Sequence, residues 1–290
     1  MKRFTCLLMV ALLAAGCGGG ESTFLSLRAA GVTAIAAQPD GSLTYADSES
    51  NAFRDVSASG EPSIQPRSLI TTELIDVLGL MADPQGRTFA SLLNGDRTVS
   101  VVEVASVPRT VWVGPIATGN PGGALARSPQ GRVVIALGDL GDPRRVADSS
   151  SLNGKVLTLD PNSGPEQLPN MISTGWTDPE GLTYDQGGSL WIADQDAGGK
   201  GRLARVGPRG AIGKPTELAT GSEPSGLARY AQQELVLCSA ATGKVQRFLL
   251  QEGLAIPGRT LGSGCIGPLT ATSDRGLAFA TAEGIRRTGA

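Results

Sequence analysis

The residues best suited to chemistry lie in one polar stretch, residues 138–164, with the sequence GDLGDPRRVADSSSLNGKVLTLDPNSG. Asp139 and Asp142 precede Arg144 and Arg145 there, so two carboxylates and two guanidinium groups lie close together. Such a cluster could bind a polar ligand at the mouth of a β-architecture, because surface loops often carry function. A solvated polar loop that binds nothing is the alternative interpretation.

Histidine is absent from the 290 residues, and this absence limits the chemistry. Ser-His-Asp and Cys-His arrangements need an imidazole as the general base, so neither can exist in this chain. The stretch GNPGG at 119–123 is glycine-rich. It lacks the Gly-Lys-Ser/Thr ending and the following helix of a phosphate-binding loop, so we predict a plain turn.

Three tryptophans could stack on a sugar ring. Trp112 and Trp191 lie in strand-like runs, where burial in the core is the expected role. Trp176 stands beside the turn-like phrase TDPEG and is the best pocket candidate of the three.

One repeated phrase provides the elements that would position these side chains. It consists of a strand-like run, a tight turn and a second strand, and it recurs about every 45 residues. The copies are TAIAAQPDGSLTYAD, VLGLMADPQGRTFAS, GALARSPQGRVVIAL, EGLTYDQGGSLWIAD, SGLARYAQQELVLCS and PLTATSDRGLAFATA. Alternation of apolar and polar residues is typical of half-buried antiparallel strands. The sequence therefore predicts an all-β fold, a six-bladed β-propeller.

The last copy ends about one strand short of a complete blade. Residues 22–29, STFLSLRA, precede the first copy and are strand-like. We predict that they supply the missing outer strand, because an open ring would leave a long unpaired edge. A disordered linker is the alternative at this position.

Residues 118–164 resemble the third blade of the soluble quinoprotein glucose/sorbosone dehydrogenases. The shared features are a Gly-Gly pair, a strand, a Pro-x-Gly turn, a strand that ends in Gly-Asp, and the phrase LxGKxLxLDPxxG. GVTAIAAQPDGSL, VLGLMADP, DPEGLTYDQGGSLWIAD and EPSGLARY resemble other blades of that family. The resemblance implies pyrroloquinoline quinone and calcium at the propeller mouth, and oxidation of sugars there.

The family's catalytic positions are largely replaced in this chain. The position of its histidine base is Asn120, whose amide does not titrate. Asp139 matches the aspartate that orients that histidine, so it survives without its partner. Thr177 and Asp178 stand where the family has an arginine on the quinone and its neighbour, and an aspartate repels a tricarboxylate. We therefore expect no catalytic residue of the family type.

The calcium loop of the family is also altered. Its match, DQDAGGKGRLARV, offers Asp194 and Asp196, but Lys200 interrupts the acidic pair. Calcium requires six to eight oxygen ligands, and a lysine opposes such a site. We predict no metal site, and the cofactor and its binding residues stay unknown because the family positions Thr177 and Asp178 do not match. The remaining pocket candidates are Asn120, Asp139, Asp142, Trp176 and Asp178.

Gluconolactonase-like propellers are a more distant resemblance, carried by PEGLTYDQGGSLWIAD. Those enzymes bind a metal through a Glu, two Asn and an Asp. Ser225 stands at one of the asparagine positions, and the other ligands cannot be assembled.

The N-terminus has the pattern of an export signal. Lys2 and Arg3 precede an apolar run that is too short to span a bilayer, and LLAAGC follows. LLAAGC resembles a bacterial lipobox, so we predict a signal peptide at 1–16, a lipidated Cys17 with a short tether at 17–22, and one propeller domain at 23–290. An ordinary signal peptide that is cut nearby is the alternative. Gly18 is compatible with an outer-membrane lipoprotein of the bacterial cell envelope, facing the periplasm or the cell surface.

Charge and cysteine content complete the sequence-based expectations. The net charge is −2 and the charged residues are interspersed, so nucleic acid is not an expected partner. Cys238 and Cys265 remain in the mature chain, and they form either one disulfide or two separate buried thiols.

Two classes of function remain. The first is a monomeric, membrane-anchored binding module whose mouth takes a small molecule, a glycan or a protein. The second is an enzyme, either a divergent quinone-dependent sugar dehydrogenase or a lactonase-like hydrolase. The missing histidine and the missing basic cofactor positions favour the first.

Overall fold

The computed structural model describes residues 23–29, 31–70, 73–274 and 276–288. Its strands form six antiparallel sheets of four strands each, arranged as the blades of a β-propeller, which confirms the predicted fold class. The only helical segments in these ranges are two short 3₁₀ turns, Pro143–Arg145 and Pro208–Gly210. None of the helices in the described part of the chain has the length and apolar character needed to cross a bilayer.

The strands are numbered in chain order, and the first strand of blades 1 to 6 is the innermost one. Blades 1 and 2 consist of Val32–Ala37, Leu43–Asp47, Ala52–Val56 and Ser68–Leu69 (β2–β5), then Leu74–Ala82, Thr88–Asn94, Thr98–Val104 and Arg109–Ile116 (β6–β9). Blades 3 and 4 consist of Gly122–Arg127, Val133–Leu137, Lys155–Leu159 and Asn170–Thr174 (β10–β13), then Asp178–Tyr184, Leu190–Gln195, Gly201–Arg205 and Thr216–Glu217 (β14–β17). Blades 5 and 6 consist of Pro224–Ala231, Glu234–Ser239, Lys244–Gln251 and Leu254–Ser263 (β18–β21), then Cys265–Ala271, Leu277–Thr281, Gly284–Thr288 and Thr23–Arg28 (β22–β24 and β1).

The N-terminal strand closes the ring. β1 pairs antiparallel with β24, and Thr23 lies opposite Thr288 in the register. This confirms that the segment before the first repeat supplies the outer strand of the last blade. A paired outer strand leaves no open edge at the junction between the two ends of the chain.

Glycine is required in the hairpin turns between the first two strands of several blades. Gly41, Gly86, Gly131 and Gly188 all have a φ of about +80°, a conformation that other residues rarely adopt. In the second blade Asp83 fixes the turn further, because its Oδ1 accepts hydrogen bonds from the amides of Gln85 and Arg87 at 2.9 Å each.

The core is divided into six apolar clusters, each of which lies between two neighbouring blades. Trp112 packs between blades 2 and 3 and Trp191 between blades 4 and 5, as expected for core tryptophans. Both are at most 2% exposed. Stability therefore depends mainly on contacts between blades, since each sheet buries both of its faces.

Cys238 and Cys265 form a disulfide with a Cα–Cα distance of 6.0 Å. Cys238 lies on β19 and Cys265 begins β22, so the bond joins blades 5 and 6. The sequence was compatible with either this disulfide or two separate buried thiols, and the structure has the disulfide. A covalent link across 27 positions stabilises the fold by about 2–4 kcal/mol, mainly by restricting the unfolded chain.

The six inner strands run in the same direction around a central channel. They begin at one face, which we call the mouth, and end at the other, which we call the opposite face. Each of them contains a β-bulge or register shift near its start. A bulge re-aims the side chain at which it occurs. The sequence pattern predicted the strands but not these bulges.

Candidate functional site

A cavity of about 240 Å³ lies in the channel at the level of the bulges. Residues at or beside the bulges of all six inner strands line it, namely Thr33, Leu78, Ala124, Glu180, Ser225 and Ile266. Among the described residues that line this cavity, Glu180 is the only ionisable one. One carboxyl group therefore faces a ring of small and apolar neighbours.

The glycine after Glu180 lets two inner strands approach each other closely. A Cβ atom at Gly181 would lie 2.6 Å from the Cβ of Leu227 and 2.8 Å from its amide nitrogen. No other residue fits there without moving the backbone of the next blade. The close packing fixes the position of Glu180 at the bulge of β14.

Glu180 and Asp178 form a carboxyl pair at the mouth. They are two residues apart on β14 and their side chains share a hydrogen bond. Burial, followed by the charge of Asp178, raises the pKa of Glu180 to about 8. The side chain keeps contact with the solvent of the cavity, although protein atoms surround it on most sides. At neutral pH Glu180 therefore keeps its proton and donates a hydrogen bond to Asp178.

Further carboxylates add to the negative potential around this pair. Asp76 approaches from blade 2, where it stands four residues before Leu80, as Asp178 stands four residues before Leu182. Burial raises the pKa of Asp76. Burial, followed by the charge of Asp139, raises that of Asp178. The mouth is thus acidic.

A buried ion pair supports Thr177 and Asp178 at the start of β14, which we call the corner. Asp194 is fully buried, and its Oδ1 accepts hydrogen bonds from the amides of Thr177 at 3.1 Å and Asp178 at 2.8 Å. Its Oδ2 accepts from Arg202 Nε at 2.8 Å and Nη2 at 2.5 Å. Burial raises the pKa of Asp194 to about 6. Its two oxygens are fully used, so this carboxylate positions the corner instead of facing a ligand.

Trp176 does not line a pocket, contrary to the prediction. Its ring has no exposed surface and lies in the apolar cluster between blades 3 and 4. Its Nε1 donates a hydrogen bond to Ser173 Oγ at 2.9 Å, and the guanidinium of Arg202 stands 5.5 Å from the ring centroid. The aromatic side chain turns inward because contacts between blades bury it beneath the corner.

The polar loop of 138–154 is tied to its blade by a buried lysine. Lys155 has no exposed surface, and its Nζ donates hydrogen bonds to the carbonyls of Val146 at 2.8 Å and Asn153 at 2.5 Å. Thr174 Oγ1 donates to the same Val146 carbonyl at 2.6 Å. Burial lowers the pKa of Lys155. The lysine therefore closes the loop from beneath.

Asn120 and Asp139 lie next to Asp178 at the border of blades 3 and 4. The amide of Asp139 donates to the carbonyl of Thr177 at 2.7 Å, and Asn120 accepts from the amide of Leu140 at 2.9 Å. Asp139 is buried, and its Oδ1 accepts from the amide of Gly141 at 2.8 Å. Asn120 is exposed. Three of the predicted pocket residues are therefore brought together.

Asp142 belongs to the solvated rim of the loop. Its Oδ1 accepts from Arg144 Nε at 2.9 Å, and this hydrogen bond holds the pKa of Asp142 below its usual value. Arg145 pairs with Asp148 at 3.5 Å in the same loop. These charges satisfy one another at the surface, as the solvated-loop interpretation expects.

Calcium and a quinone do not fit the donor set of this mouth. In the part of the chain that the structure describes, no three His, Cys, Asp or Glu side chains are placed to hold a metal ion. Asp194 is committed to Arg202, and Asp196 closes its own turn by accepting from the amides of Gly198 and Lys200. A tricarboxylate there would be repelled by the carboxylate of Asp178 and by the negative potential of the neighbouring aspartates.

Sequence analysis missed four residues of this region: Asp76, Glu180, Lys155 and Arg202. Glu180 carried a signal, since Asp178 and Glu180 alternate on one strand and a strand puts such residues on one face. Lys155 was visible as the lysine of the phrase LxGKxLxLDPxxG, although its hydrogen-bond partners were not. Arg202 carried no signal, because its carboxylate partner Asp194 is brought to it only by the tertiary fold.

No protein-family model matches the chain, and no curated protein is similar to it in sequence. Solved structures share the fold. The PQQ-bound aldose sugar dehydrogenase of Streptomyces coelicolor is 18% identical, with a TM-score of 0.75 over 92% of this chain and 97% of that one. The soluble aldose sugar dehydrogenase of Escherichia coli is 16% identical, with a TM-score of 0.72 over 92% and 99%.

A gluconolactonase of Xanthomonas campestris is similar at a lower level, with 13% identity and a TM-score of 0.64 over 93% of this chain and 89% of that one. The likeness to sugar dehydrogenase propellers therefore extends over nearly the whole described chain. It concerns the fold, because function depends on the residues of the site.

Proposed function

We propose that this protein is a lipid-anchored, extracytoplasmic binding module whose mouth takes an uncharged or cationic sugar without oxidising it. The observation that carries the proposal is the carboxyl pair of Glu180 and Asp178, with Asp76 beside it and no neutralising cation among the main charges that act on Glu180.

The carboxyl pair is suited to sugar hydroxyls. Each hydroxyl both donates and accepts, while the protonated Glu180 offers a donor and Asp178 offers acceptor oxygens. An amino sugar would gain further from the negative potential. The same negative potential would weaken the binding of a sugar acid or of a quinone that carries carboxylates.

The dehydrogenase-like fold does not bring dehydrogenase chemistry with it. Asn120 stands at the position of the family's base and Thr177 at that of a cofactor cation. The Thr177 amide is held by Asp194. These replacements support a binding role for the mouth.

One observation favours a second function, that of a divergent sugar dehydrogenase-type oxidoreductase. A carboxyl with a raised pKa is the kind of group that serves as a general base near neutral pH. Glu180 has such a pKa and lies in the channel. A lactonase-like hydrolase has less support, because the described residues offer no metal-binding group.

The anchor remains part of the proposal, since Cys17 and residues 1–22 lie outside the described residues. Thr23, where β1 begins, pairs with Thr288 at the opposite face. A tether from Cys17 would therefore leave the propeller on that side, and the mouth would point away from an outer membrane. Such an orientation would keep the mouth open to ligands of the periplasm or the cell surface.

The test is calorimetric binding with glucose, glucosamine and glucuronate as matched probes. We expect glucosamine or glucose to bind and glucuronate not to bind, and Glu180→Gln with Asp178→Asn to weaken binding about tenfold, since the charged acceptor of Asp178 and the hydroxyl donor of Glu180 are both lost. Asp142→Asn, on the solvated rim, is the control and should bind normally. Binding that prefers glucuronate, or binding that ignores the mouth variants, would contradict the proposal.

Turnover is measured separately by dye reduction with quinone and calcium. Sugar-dependent reduction that disappears in Glu180→Gln would establish the second function in place of the first.

A further inference from the structure

A second and larger cavity, of about 710 Å³, opens at the opposite face. Six aliphatic side chains line both this cavity and the mouth cavity and so separate the two: Ile35, Leu80, Leu125, Leu182, Leu227 and Leu269. All six are at most 8% exposed. The two ends of the channel are therefore distinct compartments.

Two arginines enter the larger cavity from blades 3 and 5. Arg127 and Arg229 occupy equivalent places, each two residues beyond the aliphatic ring. Blades 1, 2 and 6 have the small residues Ala37, Ala82 and Ala271 at this register. Within the described ranges no ion pair or hydrogen bond engages the guanidinium group of Arg127 or Arg229, whereas those of Arg87 and Arg202 are both paired with aspartates.

A tyrosine completes the set on blade 4. Tyr184 stands between the two arginines in blade order and lines the same cavity, and its ring also packs against the apolar cluster between blades 3 and 4. Burial raises the pKa of its hydroxyl, which therefore stays protonated and can donate a hydrogen bond. No partner of this hydroxyl is present among the described side chains.

One carboxylate lines the cavity, and it is already engaged. Asp185 Oδ1 accepts from the amide of Ser189 at 2.8 Å, and Oδ2 accepts from Trp191 Nε1 at 2.8 Å. Neither oxygen is bonded to an arginine. Two guanidinium groups and a phenol thus face the cavity against a single carboxylate, and the local charge is positive.

We propose that this cavity binds a small organic phosphate ester. A phosphate dianion matches two guanidinium groups, each of which can donate two parallel hydrogen bonds, and Tyr184 serves a third oxygen. The cavity is far larger than a phosphate, so the organic part of the ligand fits against the aliphatic ring. The inference is independent of the sugar site, because the two cavities lie on different sides of that ring.

A lipid headgroup could supply the same phosphate ester group. The start of β1 lies at the opposite face, so an anchor would bring this cavity towards a membrane. The cavity has depth and an apolar floor, which suits a soluble ester, and the experiment separates the two sources.

Calorimetric titration with glucose 6-phosphate tests the proposal, with glucose and inorganic phosphate as reference probes. We expect saturable binding of glucose 6-phosphate, weaker binding of inorganic phosphate, and a loss of about tenfold in affinity for Arg127→Gln or Arg229→Gln and more for the double variant. Tyr184→Phe should lower the affinity for glucose 6-phosphate by less than either arginine variant. Arg132→Gln is the control, because Arg132 is already paired with Asp160 at 3.0 Å.

Three outcomes would overturn the proposal. They are the absence of saturable binding, affinity that is unchanged in the double arginine variant, and binding only to phosphatidylglycerol vesicles with none to soluble phosphates. Glu180→Gln should leave phosphate binding intact, so failure here is distinguishable from failure at the mouth.

Discussion

The two ends of the channel are built from the same six strands and carry opposite charge. Asp76, Asp178 and Glu180 lie before the aliphatic ring, and Arg127 and Arg229 lie beyond it. The repeat thus fixes where a side chain enters the channel, while the residue at that register decides the chemistry. An apolar ring between the two sets keeps the carboxylates and guanidinium groups from neutralising each other.

The two ends also differ in how their charged groups are supported. At the mouth, buried groups such as Asp194 and Lys155 hold the loop and the corner in place. At the opposite face, the guanidinium groups of Arg127 and Arg229 have no ion-pair or hydrogen-bond partner among the described residues. We therefore expect substitutions at the mouth to change stability, and substitutions at the opposite face to change ligand binding alone.

The largest effect should come from Asp194→Ala. It leaves the guanidinium of Arg202 without its carboxylate and the amides of Thr177 and Asp178 without an acceptor. Breaking a buried ion pair costs about 3–5 kcal/mol. The free energy of unfolding in urea measures this loss, with Asp142→Asn as the exposed control, expected near zero. A loss below about 1 kcal/mol would mean that the mouth is not reinforced as described.

The second largest loss in the free energy of unfolding should come from removing the disulfide. Cys238 and Cys265 lie at the mouth ends of their strands and join blades 5 and 6. Replacing both with serine should lower the free energy of unfolding by about 2–4 kcal/mol. The wild type under reducing conditions should match the double variant. Equal stability of oxidised wild type and variant would show that the bond adds nothing to the mouth.

Lys155→Met should loosen the loop of 138–154 while leaving the blade folded. The variant removes the donor for the carbonyls of Val146 and Asn153, at a cost of about 1–3 kcal/mol. Hydrogen exchange should speed up within the loop and stay unchanged on β11 and β12. Faster exchange throughout blade 3 would instead assign the lysine to the blade core.

Glu180 should give the protein a pH-dependent stability. The folded state holds this proton up to a pH of about 8, whereas an unfolded glutamate releases it above about 4.3. Stability should therefore fall as the pH rises between these values. Glu180→Gln should reduce the change in the free energy of unfolding over this pH range by about 1 kcal/mol. This value is discounted because the carboxyl contacts solvent. Melting temperatures from pH 5 to 9 measure it, and Asp142→Asn should keep the wild-type slope.

The smallest effect on stability is expected at the opposite face. Arg127→Gln and Arg229→Gln should change the free energy of unfolding by less than about 0.5 kcal/mol, because they remove no ion pair or side-chain hydrogen bond among the described residues. Thermal unfolding measures this value. A larger loss would show that these arginines have a structural role, and the contrast between the two ends would disappear.

The sequence predicted the blades well because their signals are local. Hairpin turns at Gly41 or Gly131 and alternation along short strands need no knowledge of distant residues. The closing strand was predictable for a physical reason, since an unpaired outer edge is unfavourable. The sequence could not decide whether Cys238 and Cys265 form a disulfide, because pairing depends on a Cα–Cα distance that only the packing of blades 5 and 6 determines.

The site was less predictable, for reasons that Trp176 and Glu180 illustrate. Trp176 adjoins a turn in sequence, but contacts between blades bury it. Glu180 owes its raised pKa to burial, Asp178 and Asp76, and Asp76 comes from a blade on the far side of blade 3. The sequence predicted that Asn120 and Thr177 replace functional residues of the dehydrogenases that it resembles, whereas the acidic set at the mouth required the fold.

Closure by β1 also has a consequence for the order of folding. Thr23 and Thr288 lie opposite each other in the final sheet, so the first strand to emerge during synthesis must wait for the last one. Contacts of such long sequence separation form late, because the intervening chain must first be ordered. The pairing that closes the ring therefore waits until β24 has been synthesised, and until then β1 lacks its partner strand in the final sheet.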